Sequence, residues 1–503
     1  MLARLSRLPL FLLLLGTASV SMLVPAVLGR ISGDYHDARV FFYAGLEGLL
    51  LAALTGIALS SRHFVPSALR QLPALAGAFL ILPAFLSLPF YEALGNTTYL
   101  NAWFEMVSAL TTTGASLFDP DRLSLPEQFW RVQVGWMGGL LIWVAASSIL
   151  APLALGGFEI TAAGAPGRAS VTGSAADSHG SPDQRLRRNL RILVPVYGGL
   201  TFALALALWS VGDPPLVAIS HAMSVMSTSG ISPIGGLTQA PSGFAGEVII
   251  FCFLLFALSR LSFSSDMRAR GGLWHDPEFR LGLILACAAA LALFLRHWWA
   301  AFDVGAEREL GSGLRAFWGC LFTASSFLTT TGFASADWGA AQGWSGLQAP
   351  GAVLMGLALM GGGVATTAGG VKLLRVYALY LDGRREVERL IHPHSIARQR
   401  GKGARIGPNG GFIAWISFML FALTIAALTM VLGFWGVALE PAIVMTLAAL
   451  SNTGPLITLS STEPIALALM GAEVKITLGI AMVLGRLELL AVIVMFSPDV
   501  WRR

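Results

Sequence analysis

The chain has 503 residues, 55% of them hydrophobic and 12% charged, and its mean hydropathy is +0.70. That balance excludes an ordinary soluble domain and points to a polytopic membrane protein, a bundle of helices in lipid. The formal net charge of +5 says less than where the charges fall, and Cys252, Cys287 and Cys320 sit in apolar runs without metal-ligand spacing or obvious pairing.

Ten apolar segments read as spans: 8–29, 40–61, 69–90, 129–156, 192–212, 243–263, 281–300, 350–381, 412–435 and 465–496. The first follows Arg4 and Arg7 in the manner of a signal peptide. It is long for such a segment and lacks a small-x-small cleavage site, so an uncleaved span is expected. With the N-terminus inside, 24 Lys and Arg residues fall on the cytoplasmic side and 8 on the outer side, with Arg486 within the last span. This positive-inside bias puts both termini in the cytoplasm. Residues 164–184, rich in Gly, Ala and Ser, read as a flexible cytoplasmic loop. The basic stretch 381–405 reads as a helix continuing into the cytoplasm, either a topology signal or a partner-docking surface.

Between the later spans a short pattern recurs four times. It is Thr111-Thr112-Thr113-Gly114-Ala115-Ser116, then Ser227-Thr228-Ser229-Gly230-Ile231-Ser232, Thr329-Thr330-Thr331-Gly332-Phe333-Ala334 and Ser451-Asn452-Thr453-Gly454-Pro455-Leu456. The glycines lie 116, 102 and 122 residues apart, and a repeat of this kind organises a fold. The apolar run before each glycine is about 12–15 residues, roughly 18–22 Å as helix, too short to cross about 30 Å of hydrocarbon. Each is therefore expected to enter the membrane, turn and leave, with non-helical backbone shielded by protein or water. Asp213-Pro214 and Glu440-Pro441 mark two helix starts, and Asn101 and Ser312 are the expected caps of the other two. Four such loops around one axis present carbonyl and hydroxyl oxygens that replace the water around an ion. The helix C-termini favour cations there. One cluster alone would read as a packing spot between helices; four in the same context argue for a pore.

The expected fold is thus all-α: four span–pore-helix–loop–span repeats around one pore, plus two extra N-terminal spans. The division is 1–68 for the extra spans, 69–156 for repeat 1, 157–275 for a cytoplasmic loop and repeat 2, 276–405 for repeat 3 with its cytoplasmic extension, and 406–503 for repeat 4.

These loops, the run Met360-Gly361-Gly362-Gly363-Val364-Ala365-Thr366-Thr367-Ala368-Gly369-Gly370-Val371-Lys372, and the ending that contains Gly485-Arg486-Leu487-Glu488 resemble the TrkH type of the Trk/Ktr/HKT potassium transporters. The resemblance covers nearly the whole chain. It implies potassium uptake across a bacterial inner membrane, a pore within each monomer, a homodimer, and a cytoplasmic ring of RCK-type nucleotide-binding regulatory subunits. It implies no organic cofactor and no nucleic-acid partner. Potassium would be bound at the filter positions Thr112, Thr113, Gly114, Thr228, Ser229, Gly230, Thr330, Thr331, Gly332, Asn452, Thr453 and Gly454. The family often has Gly-Gly in the second loop and Gly after Pro in the fourth, where this chain has Ser229-Gly230 and Leu456. The serine that sodium-preferring plant relatives carry at the first-loop glycine is absent.

The glycine-rich run interrupts the eighth segment, and five glycines in ten residues do not hold a regular helix. It is not a phosphate-binding P-loop, because Leu373 follows Lys372 and the spacing differs. The resemblance implies an intramembrane gate beneath the filter, formed by Gly361, Gly362, Gly363, Thr366, Thr367, Gly369 and Gly370. It also implies that Arg486 projects below the filter as a barrier or a partner of that loop. A buried arginine in a span is costly and usually functional; the alternative is a structural pair with Glu488.

Glu105, in the first short helix, is expected to hydrogen-bond structurally. Asp119, Asp121, Asp337 and Glu463 follow the loops as mouth or surface charges. His221 is expected to be a packed helix residue, and His392 and His394 lack companion cysteines for a metal site. The rival functions are a less selective potassium/sodium transporter and an ion-coupled symporter with inverted repeats. Four similar loops without a paired intramembrane acid relay argue against the symporter. Neither H-E-x-x-H nor G-x-S-x-G occurs, so an intramembrane enzyme is not expected.

Overall fold

The computed structural model describes residues 10–59, 68–160, 182–259, 273–300, 310–347, 349–392, 406, 409–461 and 464–496, and these contain helices, turns and loops with no strand. Most of the expected loop over 164–184, the basic residues 393–405, Glu463 and His394 lie outside the described residues.

Two helical hairpin arms open the fold: α1 (Leu10–Ser21) and α2 (Leu23–Ser32) form one jogged span, and α3 (Tyr35–Leu59) returns beside it. Gly45 and Gly48 let α3 lie against α1; a Cβ on Gly45 would sit 2.9 Å from the Ser19 carbonyl. Small residues at such crossings give membrane helices their van der Waals contact.

Four successive groups of helices follow, each carrying one of the glycine motifs; the first runs through α4 (Ala68–Leu94), the short α5 (Tyr99–Leu110) and α6 (Leu125–Ala145). Ser124 and Glu127 form a reciprocal capping box at the start of α6, with Ser124 N donating to Glu127 Oε2 at 2.8 Å. The second comprises α7 (Pro182–Ser210), the short α8 (Pro215–Ser227) and α9 (Gly243–Leu254). The third comprises α10 (Pro277–Ala300), α11 (Leu310–Leu328), α12 (Trp338–Ser345), α13 (Gly351–Met360) and α14 (Leu373–Ile391). The fourth comprises α15 (Gly410–Phe434), α16 (Leu439–Leu450), α17 (Leu456–Leu459), α18 (Ala472–Leu487) and α19 (Leu489–Met495).

Among the described residues seven helices are long and apolar enough to cross a membrane, and α18 with α19 makes an eighth if the bent pair counts as one span. Three expected spans differ from this simple picture. The sixth continues from α9 only as a 3-10 turn to Leu258 before the described residues end. The eighth breaks between α13 and α14 over residues 361–372. The tenth begins at Ala472 and bends by 92° at Glu488, whose φ of 66° ends α18. Hydropathy does not register these breaks, because the residues around them are themselves apolar or small.

Two expected caps also differ. Thr98, not Asn101, caps α5, accepting from Asn101 N. Ser312 lies inside α11, which has 19 residues and exceeds the expected length of the short helices. No proline fixes its start, as Pro215 does for α8.

Candidate functional site: a ring of four glycine loops

The C-termini of α5, α8, α11 and α16 end in loops of the same construction. In each, the residue two before the glycine takes a left-handed backbone: Thr112 (φ 55°), Thr228 (53°), Thr330 (57°) and Asn452 (53°). In each, the residue just before the glycine donates its N–H five residues back, Thr113 to Ser108 (2.8 Å), Ser229 to Ser224 (3.0 Å), Thr331 to Ser326 (2.9 Å) and Thr453 to Ala448 (2.9 Å). Hydroxyls two apart also pair in every loop: Thr111 with Thr113, Ser227 with Ser229, Thr329 with Thr331, and Ser451 with Thr453, at 2.8–3.2 Å. A Thr or Asn in left-handed conformation is strained, and strain persists only where the surroundings enforce it. Four copies of one strained turn argue that the turn itself is required.

The glycines show how the loops meet. A Cβ on Gly114 would lie 1.8 Å from the Ser229 carbonyl oxygen, and one on Gly230 would lie 2.2 Å from that of Thr331. On Gly332 it would lie 2.7 Å from the Pro455 ring, and on Gly454 it would lie 2.1 Å from the Ala115 nitrogen. Each loop therefore leans on the next in the order one, two, three, four, one. The fourth junction differs in detail. Gly454 does not share the positive φ of Gly114 (74°), Gly230 (65°) and Gly332 (85°), and its N–H donates to the Thr113 carbonyl at 2.6 Å. The Thr112 hydroxyl and the Asn452 side-chain oxygen are buried in the ring without a hydrogen-bond partner among the described residues. Buried oxygens of this kind have lone pairs that a hard cation or a water can take up.

Residues 361–372 form a loop packed against the ring. Its two ends touch: Val371 N donates to Leu359 O and Lys372 N to Met360 O, both at 2.9 Å. Its tip reaches the third and fourth loops and the last turn of α8, just before the second. Thr367 Oγ1 donates to the Met226 carbonyl at 3.2 Å, and Gly369 N donates to Thr330 Oγ1 at 2.7 Å. A Cβ on Gly369 would lie 2.0 Å from the Ser451 carbonyl. Gly363 N is held by the Ala257 carbonyl at 3.0 Å, Thr366 Oγ1 donates to Gly363 O, and the Lys372 ammonium donates to Ala368 O. A Cβ on Gly361 would meet Gly369 O at 2.2 Å and one on Gly370 the Ala358 carbonyl at 2.7 Å; on Gly362 it would meet the Ala368 methyl at 2.5 Å. The cavities flanking the loop hold about 10 and 20 Å³, room for about one water each.

Arg486 is buried at the end of α18 and donates from Nη1 to the Thr367 carbonyl at 2.7 Å, while its Nε and Nη2 have no hydrogen-bond partner among the described residues. The alternative pairing with Glu488 is not formed. Glu488 binds Arg375 at 2.6 Å, and Arg375 also binds Glu159 at 2.7 Å. This three-residue ion pair joins α14, Glu159 in the turn beyond α6 and the bend after α18, and the pattern of the sequence did not single out Arg375 or Glu159. Isolated charges in apolar runs were the available signal; their partners, 216 and 113 positions away, were not.

Glu105 accepts from Leu117 N at 3.0 Å and pairs with Arg131 at 2.7 Å. His221 bonds Ser232 Oγ at 2.9 Å and packs edge-on to Phe333. Asp119, Asp121 and Asp337 follow their loops and form no ion pair among the described residues, where no group of three metal-ligating side chains occurs either.

A helical membrane bundle with four like turns closed into a buried ring is the architecture of a membrane transport protein. The TrkH family model, described as cation transport protein, matches residues 242–503. The "Trk system potassium uptake protein TrkH" of Vibrio parahaemolyticus is 30% identical over 512 aligned residues, 97% of this chain and 98% of that one. A protein of the same description from Halomonas elongata is 31% identical over 80% of both chains. The crystal structure of the potassium transporter TrkH from Vibrio parahaemolyticus superimposes with a TM-score of 0.78 at 27% identity, covering all of both chains. The chain belongs to the TrkH family of cation transport proteins and is not an enzyme.

Proposed function

We propose that the chain takes up potassium across a bacterial inner membrane through the ring of glycine loops, which acts as the selectivity filter. The observation that carries this reading is the shared turn of the four loops together with the glycine contacts that close them into one ring. A dehydrated potassium ion is held by the oxygens of Thr112–Gly114, Thr228–Gly230, Thr330–Gly332 and Asn452–Gly454, which stand in for its hydration shell. The division into four repeats and two additional N-terminal spans is part of the same reading.

The loop 361–372 acts as the gate, held shut under the filter by its bonds to Met226, Thr330 and the Arg486 guanidinium. Opening requires the loop to leave these partners. A cytoplasmic RCK-type ring drives it through α14, whose far end exposes Val387, Leu390 and Ile391. The names of the relatives, as parts of a Trk system, support a multi-component assembly, and the homodimer belongs to the same proposal.

The test is potassium-dependent growth and rubidium uptake in cells that lack their own potassium uptake systems. Growth at low potassium only when the chain is expressed is the expected result. Rescue accompanied by sodium uptake comparable to rubidium uptake would assign it to the less selective reading, to which Ser229 and Leu456 are the relevant departures.

A further inference from the structure

Glu247 has no part in the mechanism so far, yet it is a carboxylate buried in a membrane-embedded helix. It sits on α9, which follows the second loop, and is 4% exposed. Oε1 accepts from Ala336 N at 2.6 Å, and Oε2 accepts from Ser335 Oγ and from Trp318 Nε1, both at 2.7 Å. Trp318 is on α11, which leads into the third loop, and Ser335 and Ala336 follow Gly332 by three and four residues. One side chain from the second repeat thus grips both the entry and the exit of the third loop. Burying a carboxylate is costly unless its oxygens are satisfied, and three short bonds to a charged acceptor offset that cost.

The other loops show what this grip replaces. Nine residues before the glycine of the first three loops, a side chain hydrogen-bonds a residue that leaves the loop. In the first loop Glu105 accepts from Leu117 N at 3.0 Å, and in the second His221 bonds Ser232 at 2.9 Å. In the third, Thr323 only accepts from Ser335 N at 3.2 Å, and in the fourth the position is Met445. Threonine is too short to bind more than that one N–H. The second bond to Ser335 and the bond to Ala336 come from Glu247 instead. Loops one and three, opposite each other in the ring, are therefore braced by carboxylates.

We propose that Glu247 is a positioning residue for ion selectivity, a brace from the second repeat that sets the third filter loop. This rests on the reading of the ring as the filter. Glu247→Gln keeps the shape but offers one acceptor oxygen and an amide donor to three donors, so one of them loses its partner. The experiment is rubidium and sodium flux per molecule in purified, reconstituted protein, for the parent, Glu247→Gln, Ser335→Ala, Trp318→Phe and Gly332→Ser. The expected result is a rubidium-to-sodium ratio reduced about fivefold in Glu247→Gln, the fold-change of one lost hydrogen bond. Ser335→Ala and Trp318→Phe shift it less, in the same direction. A brace that served folding alone would lower the yield of protein and leave the ratio of the folded fraction unmoved. If Glu247→Gln does not fold, Ser335→Ala decides. An unchanged ratio in Glu247→Gln and Ser335→Ala, with a lowered one in Gly332→Ser, overturns the brace and leaves the filter standing. An unchanged ratio in Gly332→Ser as well overturns the filter reading of the third loop.

Discussion

At the scale of single residues, the four ring glycines are unequal in what a side chain would meet. Gly114 and Gly230 face carbonyl oxygens of the next loop at 1.8 and 2.2 Å, whereas Gly332 faces the Pro455 ring at 2.7 Å. A serine at the first two positions must displace an oxygen proposed to bind the ion and also bears a positive φ that favours glycine. Gly114→Ser and Gly230→Ser are expected to reduce rubidium over sodium flux by more than Gly332→Ser, where the neighbouring proline has no oxygen at the contact. Flux ratios in reconstituted vesicles check this, and equal ratios in all three would refute it. The proposed barrier role of Arg486 rests on its charge and on its bond to the Thr367 carbonyl. At an effective dielectric near 20 and roughly 8 Å, two unit charges repel by about 2 kcal/mol, worth on the order of tenfold or more in rate if the barrier limits flux. Arg486→Ala is expected to raise rubidium uptake per molecule without altering selectivity, and Arg486→Lys to stay nearer the parent. Reduced uptake by correctly folded Arg486→Ala would remove the barrier role.

At the scale of elements, the loop 361–372 is a compact excursion whose ends are hydrogen-bonded to each other. Removing Gly362 to Gly369 leaves Gly361 and Gly370 to join α13 to α14 across a gap already closed in the parent. The deletion is expected to fold, to raise basal flux and to lose its dependence on a cytoplasmic partner. Parent-like flux from the folded deletion would show that the loop does not gate. Arg375 ties α14 to Glu159 and to the bend at Glu488, and breaking a buried ion pair by removing one partner costs about 3–5 kcal/mol. Arg375→Ala is expected to lower thermal stability in detergent markedly. Arg375→Lys, which keeps the charge but reaches one carboxylate at a time, recovers only part of it.

At the scale of the whole molecule, all four loops of the ring come from one chain, and each leans on the next. A pore completed within one chain conducts independently of its neighbours in any oligomer. Co-reconstituting parent protein with an inactive ring variant is therefore expected to give flux that falls linearly with the fraction of variant. A steeper fall would mean that conduction requires two intact chains. The lipid-facing surface fits the same picture: α3 and α15 expose rows of large apolar side chains such as Leu50, Ile57, Leu423 and Met430, while polar groups gather at the ring.

The amino-acid sequence alone determined the class, most of the spans and the four glycine turns. Those features depend on local composition and on short-range bonds from each loop to the helix before it, such as Thr113 to Ser108. The breaks in the eighth and tenth segments were only half legible. The glycine run announced the first, while the bend at Glu488 lies between leucines that read as helix. Only the tertiary structure decided which loop leans on which, that the fourth junction pairs Gly454 N with Thr113 O, and that Glu488 serves Arg375 rather than Arg486. It also decided that Glu247 reaches the residues flanking the third loop. These pairings join residues from 71 to 341 positions apart, and pattern along a chain cannot report them. Their geometry is set by close packing of whole helices, which brings one partner among many chemically equivalent ones within bonding distance.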